Sequence, residues 1–100
     1  MKFVFVFQYR KLSDKLNIAE FTSPTAATSS VERGRAANAL MQKINSEFSL
    51  AHYGKVLSLC MDYRRTLDKI LTPPHRFYFN SLLILLYCYW VKNGNRGPDA

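Results

Sequence analysis

Residues 71–94 have the sequence LTPPHRFYFNSLLILLYCYWVKNG, and this stretch decides the fold. Two consecutive prolines cannot continue a helix, and the residue before a proline avoids helical backbone angles. The same residues suit a helix start, because Thr72 is a capping residue and proline is favoured at the first helical position. The sequence therefore predicts a turn at 72–74 and a helix over 75–92, which ends at an Asn-Gly pair typical of helix C-termini.

The segment before the prolines has a clear helical period. Apolar residues recur at alternating spacings of three and four between positions 50 and 71, and only Arg64 interrupts the stripe. The apolar members of this stripe are Leu50, Tyr53, Leu57, Cys60, Leu67 and Leu71. Two helices joined by so short a connection pack antiparallel, so we expect a helical hairpin.

A further apolar stripe lies upstream of the hairpin. Its members recur at spacings of three and four and are Ala37, Leu40, Met41, Ile44 and Phe48. This pattern predicts a helix that packs against both helices of the hairpin. The predicted fold class is therefore all-α, a small three-helix bundle built on an antiparallel hairpin, in a helical unit over 31–94.

The N-terminal segment has a different composition. Residues 3–9 are Phe-Val-Phe-Val-Phe-Gln-Tyr, and β-branched and aromatic residues favour an extended strand. The sequence predicts an N-terminal arm over 1–21, which begins extended and continues as a weak helix. The small polar residues of 22–30 predict a linker, and residues 95–100 predict a flexible tail.

The uncharged stretch 77–91 has two alternative interpretations. Fifteen helical residues span about 22 Å, which is short of the hydrocarbon core of a bilayer at about 30 Å. Aromatic residues at both ends resemble the belts of membrane helices, whereas Asn80 and Ser81 interrupt the run. Burial is favoured, with apolar side chains of this helix against those of the preceding one. The expected contacts join Leu82, Leu83, Leu86, Tyr89 and Trp90 to Leu57, Cys60, Tyr63 and Leu67.

The chain is basic, with 14 Lys and Arg against 7 Asp and Glu and a net charge of +7. Such a balance favours contact with nucleic acid, an anionic lipid surface or an acidic protein. A basic cluster is formed by Arg64, Arg65 and Lys69. Aromatic residues stand beside basic ones here and near Tyr78, a pattern that can stack bases and hold phosphates.

Residues with catalytic or metal-binding chemistry are few and scattered. The histidines are His52 and His75, and with Cys60 and Cys88 they lack the close pairs of a zinc signature. His52 and Cys60 stand about 12 Å apart along one helix, too far for a nucleophile and its base. We therefore expect no enzyme activity, no cofactor and no metal. The two cysteines are expected to be free thiols, with one disulfide as the alternative.

Residues 50–95 resemble a tetratricopeptide-like helix pair. The lead-in Leu71-Thr72-Pro73-Pro74-His75 and the Leu-rich helix before Asn93-Gly94-Asn95 are similar to the C-terminal helical region of SET and MYND domain lysine methyltransferases. In that family such helices form a wall that faces partners and substrates. The resemblance implies a binding function and a fragment or derivative of a larger domain. Methyltransferase activity is not implied, because the chain has no cysteine-rich zinc module and no methyl-donor motif.

These patterns predict a non-enzymatic protein-interaction module that binds another protein or a second copy of itself. A small membrane-associated protein and a basic nucleic-acid-binding accessory protein are the alternatives. The apolar run at 3–7 is shorter than the roughly 7–15 residues of a signal-peptide core, so we expect the cytoplasm or nucleus, with the membrane as the alternative. The predicted partner-binding residues are Phe3, Phe5, Phe7, Arg64, Arg65, Lys69, Tyr78 and Trp90.

Overall fold

The computed structural model describes residues 2–17 and 28–93, and every regular element in these two ranges is an α-helix. The helices are α1 (Lys2–Leu16), α2 (Thr28–Ser49), α3 (Tyr53–Ile70) and α4 (Pro73–Lys92). The predicted all-α class is confirmed. The predicted linker 22–30 is described only from Thr28, where it already belongs to α2, and the predicted tail 95–100 lies outside the described residues.

The four helices form an up-and-down bundle in which each helix has two neighbours. α1 packs against α2 and α4, and α3 packs against the same two helices. At one end of the bundle, Phe48 of α2 and Tyr89 of α4 both contact the rings of Phe5 of α1 and Tyr53 of α3. N-terminal ends of α1 and α3 thus meet C-terminal ends of α2 and α4, and successive helices are antiparallel.

The N-terminal segment is helical, so the prediction of an extended arm at 3–9 is wrong. Phe5, Tyr9, Leu12 and Leu16 follow one another at spacings of four, three and four. Phe5, Tyr9 and Leu16 are buried in the core, and Leu12 packs against it. The composition favoured a strand, but most helical stability in a protein comes from packing one apolar face. Burial of this face therefore overrides the local propensity.

Over residues 2–17 and 28–93 the bundle has four helices instead of the predicted three. α4 lies between α1 and α3, whereas α2, which was expected to cover α4, packs against α3 and α1. This difference follows from the helical state of α1, because α1 occupies the flank of α4 that was assigned to α2. The core consequently extends beyond the predicted unit 31–94.

The hairpin of α3 and α4 is confirmed. Thr72 has extended backbone angles at the start of α4, and Pro73 and Pro74 fill the first positions. The backbone N–H of Arg76 donates to the carbonyl of Thr72 at 2.8 Å. The Arg76 side chain also donates to the carbonyl oxygen of Asp68 near the end of α3, at 3.2 Å. The backbone bond begins α4, and the side-chain bond fastens its first turn to the last turns of α3.

The turn between α2 and α3 places two aromatic rings side by side. The His52 N–H donates to the Glu47 carbonyl at 3.1 Å and the Ala51 N–H donates to the Phe48 carbonyl at 2.9 Å, the bonding of a Schellman motif. Ala51 takes φ 61° there, which costs a residue with a Cβ about 1–2 kcal/mol. This turn sets the ring of Tyr53 5.1 Å from that of Phe48.

The contact between α1 and α2 is fixed by a polar group inside the bundle. The hydroxyl of Tyr9 donates to Asn45 Oδ1 at 2.6 Å, and the hydroxyl of Ser13 donates to the same oxygen at 3.0 Å. Burial raises the pKa of Tyr9, and a charge on Cys60 would raise it further, whereas Arg10 lowers it. Tyr9 therefore remains a protonated donor, and Asn45 serves both α1 hydroxyls.

One face of α4 is buried, as the hairpin predicted. Leu82 and Leu86 are buried, and Leu83, Tyr89 and Trp90 pack against the core cluster. The same cluster includes the predicted α3 residues Leu57, Cys60 and Leu67, and Tyr63 packs against it. Within residues 2–17 and 28–93, no helix combines the length and the apolar content that crossing a membrane requires.

Candidate binding surface on α4

The outward face of α4 carries a second apolar stripe, opposite the buried one. Phe77, Ser81, Ile84, Cys88 and Val91 follow one another at spacings of four, three, four and three, so they share one face of the helix. Phe77 is 68% exposed and Ile84 is 63% exposed. An ordinary surface helix presents polar side chains on this face, and here it presents an apolar ridge.

A groove runs along one side of this ridge, between α4 and α1. Two adjoining hollows of about 510 and 630 Å³ form it, and they share Gln8, Leu85 and Cys88. Leu12 and Ile84 border the first hollow, which lies toward the C-terminal end of α1. The groove therefore follows α1 and α4 along most of the length of α1. We call it the α1–α4 groove.

A smaller groove runs along the other side of the ridge, between α4 and α3. It encloses about 250 Å³ and is lined by Leu57, Met61, Arg64, Leu83, Ile84 and Tyr87. Met61 and Tyr87 are 61% and 58% exposed. Ile84 borders this groove as well as the α1–α4 groove. Ile84 is thus the central apolar side chain of the whole surface.

The charged residues that line the two grooves are all basic. Lys11 and Lys15 line the α1–α4 groove, Lys92 lies at its far end, and Arg64 lines the smaller groove. No Asp or Glu is among the described residues that line either groove, and α4 itself contains none. The surface therefore has an apolar centre and a positive rim.

The two lysines on α1 are positioned by aromatic rings. Lys11 Nζ lies 5.7 Å from the centroid of Phe7, and Lys15 Nζ lies 4.8 Å from the centroid of Tyr78. A cation over an aromatic face gains about 0.5–1 kcal/mol at an exposed site. This attraction directs the two ammonium groups without neutralising them.

Some of the predicted partner-binding residues belong to this surface or its border. Arg64 lines the smaller groove, and half-buried Tyr78 holds Lys15. Phe3 and Phe7 are exposed on α1, and Arg65 and Lys69 are exposed on α3, but none of these four lines a groove. Trp90 is half-buried against the core.

Phe5 is buried in the core and reaches the surface only where it lines the α1–α4 groove, so the exposed position that the extended arm implied for it is wrong. It is 4% exposed, and its ring stacks on Tyr89 at a centroid distance of 3.8 Å. The prediction assumed an extended arm, in which Phe3, Phe5 and Phe7 would share one side. In a helix these residues are separated by about 200°, which sends Phe5 inward and the other two outward.

Sequence reasoning missed the residues that form the centre of the surface. Ile84, Cys88, Lys11 and Lys15 were not predicted as partner contacts. The stripe from Phe77 to Val91 was present in the sequence at helical spacing. The sequence did not reveal this stripe as a surface, because α4 is apolar nearly all round. Its hydrophobic pattern therefore does not distinguish the covered face from the uncovered one.

The cysteines occupy opposite environments. Cys60 is buried, and burial raises the pKa of its thiol to about 12, whereas Cys88 is exposed on the ridge; both are free. The alternative of a disulfide between them is therefore wrong. Cys60 also stays protonated at neutral pH, which makes it a poor nucleophile.

The remaining ionisable cluster lies at the turn between α2 and α3. His52 Nδ1 is 2.9 Å from Glu47 Oε2, and Lys55 Nζ is 3.4 Å from Glu47 Oε1. The hydrogen bond with His52 lowers the pKa of the Glu47 carboxyl most, burial acts in the opposite direction, and Lys55 lowers this pKa further. The three groups hold the turn to the start of α3. Within the described part of the chain, no three His, Cys, Asp or Glu residues stand close enough to bind a metal together.

Comparison of the chain with family models, with curated proteins and with solved structures gave no match. The similarity of residues 50–95 to a tetratricopeptide-like helix pair therefore stays a prediction. The function of the surface has to be inferred from its own geometry and charge.

Proposed function

We propose that this protein is a non-enzymatic interaction module that binds a helix of another protein on the outer face of α4. The observation that carries the proposal is the ridge of Phe77, Ile84 and Val91, which is apolar, exposed and flanked by grooves on both sides. Contiguous exposed apolar surface of this kind is typical of interaction sites. An amphipathic helix seated in an apolar groove is a recurrent way to cover it.

The shape of the surface favours a protein over a bilayer. A flat lipid surface would touch the ridge and leave both grooves filled with water, whereas side chains of a helix can enter them. The basic cluster predicted to bind nucleic acid is also divided, because Arg64 borders an apolar groove while Arg65 and Lys69 do not. Binding of phosphates there would leave the apolar ridge uncovered.

The proposal includes the cytoplasm or nucleus as the location. An exposed free thiol such as Cys88 is compatible with that location, because reducing compartments keep thiols reduced. We also propose that α3 and α4 correspond to a tetratricopeptide-like pair. The tight Pro73-Pro74 connection and the antiparallel packing support this correspondence.

A selection from a library of helical peptides on the immobilised full chain tests the proposed function. We expect helical binders that lose at least about tenfold in affinity on Ile84→Glu, because a central apolar contact typically contributes more than 1 kcal/mol. Leu50→Glu is the matched control: Leu50 is 62% exposed, against 63% for Ile84, and it lines neither groove.

Leu50→Glu should leave the affinity within about twofold, since scattered surface changes have small effects. Circular dichroism should show both variants folded. Failure to select any helical peptide would contradict the proposed function. Binders that lose affinity equally on both variants, or on neither, would show that the outer face of α4 is not the site.

A further inference from the structure

We propose that the occupant of the α1–α4 groove is an acidic amphipathic helix of a partner protein, with carboxylates that pair with Lys11 and Lys15. This inference rests on the proposed function and names the chemistry of the partner. Three properties of the groove carry it: its length, its apolar floor and the sign of its rim.

The groove has the length of a short helix. It runs from Val4 to Lys15 along α1 and from Asn93 to Ser81 along α4. Eleven residues at 1.5 Å per residue give about 17 Å, or about three turns of helix. A bound helix would therefore present apolar residues at i, i+3 or i+4, and i+7, matching the apolar floor.

The floor of the groove is mostly apolar, so a bound partner needs few hydrogen bonds there. Leu12, Ile84 and Leu85 line its first hollow, and Val4, Phe5 and Tyr89 line the second. These are aliphatic and aromatic side chains, and Gln8, Ser81 and Asn93 are the uncharged polar ones among the residues that line it. Such a floor fits an apolar stripe on a helix better than it fits a polar loop.

The basic rim of the groove favours a partner helix with negative charge. Lys11 and Lys15 are one turn apart on α1, and the ion pairs found among the described residues involve Glu47 at the other side of the bundle. Residues four apart on a helix are separated by about 6 Å along its axis, so the two lysines match carboxylates at i and i+4 of a facing helix. Their attraction would also speed association and exclude basic helices.

The same rim argues against a second copy as the occupant. A symmetric dimer through this groove would bring two sets of lysines together, because an isologous contact pairs a surface with itself. No carboxylate lines the groove in the described residues to offset that repulsion. The net charge of +7 on each chain adds to it.

The test uses three synthetic helical peptides of one length with the same Leu stripe, whose flanking residues are Glu, Gln or Lys. Binding to the full chain is measured by fluorescence anisotropy at about 50 and 500 mM salt, below and above the range where surface charges are screened. At low salt we expect the Glu peptide to bind about tenfold tighter than the Gln peptide and the Lys peptide to bind weakest. High salt should remove most of this difference.

Charge variants locate the effect. Lys11→Gln with Lys15→Gln should cost the Glu peptide about tenfold and leave the Gln peptide unchanged. Arg35→Gln with Lys43→Gln is the matched control, since it removes two exposed charges from α2, which does not pack against α4. This control should weaken the Glu peptide by no more than about twofold.

The outcomes separate the two proposals. Equal binding of Glu and Gln peptides, lost on Ile84→Glu, would overturn the acidic partner and leave the proposed function standing. No binding of any peptide would count against both. Dimerisation in sedimentation, or binding to vesicles of phosphatidylserine and phosphatidylcholine, would each overturn the inference if Ile84→Glu abolished it, since the second copy or the lipid would then be the occupant.

Discussion

The two faces of α4 are both largely apolar, but one is buried and the other is exposed. On the inner face, Phe79, Leu82 and Leu86 are at most 2% exposed, whereas on the outer face Phe77 and Ile84 are more than 60% exposed. The difference arises because α1 and α3 cover only the inner half of the helix. The apolar sequence of a helix therefore indicates that part of the helix must be buried. It does not indicate how much of the helix perimeter the rest of the chain covers.

The largest expected difference between the two faces is the change in stability when a phenylalanine on each face of α4 is replaced by alanine. Phe79→Ala should lower the free energy of unfolding by about 3–5 kcal/mol, because it removes a fully buried ring and leaves a cavity. Phe77→Ala should change it by less than about 0.5 kcal/mol, since this ring is mostly in water. Urea denaturation followed by circular dichroism measures both. Similar losses for the two variants would show that the faces are not distinct in solution.

The positions of α3 and α4 could be predicted because the signals were local. Pro73-Pro74 fixes a turn, and the stripe that ends at Leu71 fixes the buried face of α3. α1 was mispredicted because the alternating Phe-Val residues favour a strand by composition, while the helical spacing of Phe5, Tyr9, Leu12 and Leu16 becomes decisive only when a partner face exists. The binding surface could not be derived, because it depends on which helices flank α4.

The buried Cys60 and the exposed Cys88 allow the contrast between covered and uncovered positions to be tested by pH. The pKa of buried Cys60 is raised from an ordinary value of 9.0 to about 12, so its contribution to stability is complete below pH 9 and is lost as the pH rises toward 12. At pH 10.5 this loss amounts to about 2 kcal/mol, at 1.36 kcal/mol per pH unit. Tyr9, whose pKa is also raised by burial, adds to the loss above pH 10.

Denaturation curves between pH 8 and pH 10.5 check this expectation. Cys60→Val should make the fall in stability shallower, while Cys88→Ser on the exposed face should leave the slope of wild type. Equal slopes for all three proteins would contradict the burial of Cys60. A change with Cys88→Ser alone would place the sensitive thiol on the outer face.

Asn45 tests whether the packing of α1, which forms one wall of the α1–α4 groove, depends on its polar contact with α2. Asn45→Ala leaves the hydroxyls of Tyr9 and Ser13 without their common acceptor, and we expect a loss of about 2 kcal/mol in unfolding free energy. Gln42→Ala, an exposed change on the same helix, should cost less than about 0.5 kcal/mol. Thermal melting measures both variants, and equal stability would mean that the α1–α2 contact does not rest on Asn45.

Binding of a partner helix on the uncovered face of α4 is the central proposal. Titration of the 15N-labelled chain with the Glu-flanked helical peptide tests it directly by amide chemical shifts. We predict the largest changes at Ser81, Ile84, Leu85 and Cys88, together with Lys11 on α1, and no significant change along the exposed side of α2. Saturable changes centred on α2, or an absence of changes at Ile84 under conditions where the peptide binds, would contradict the account.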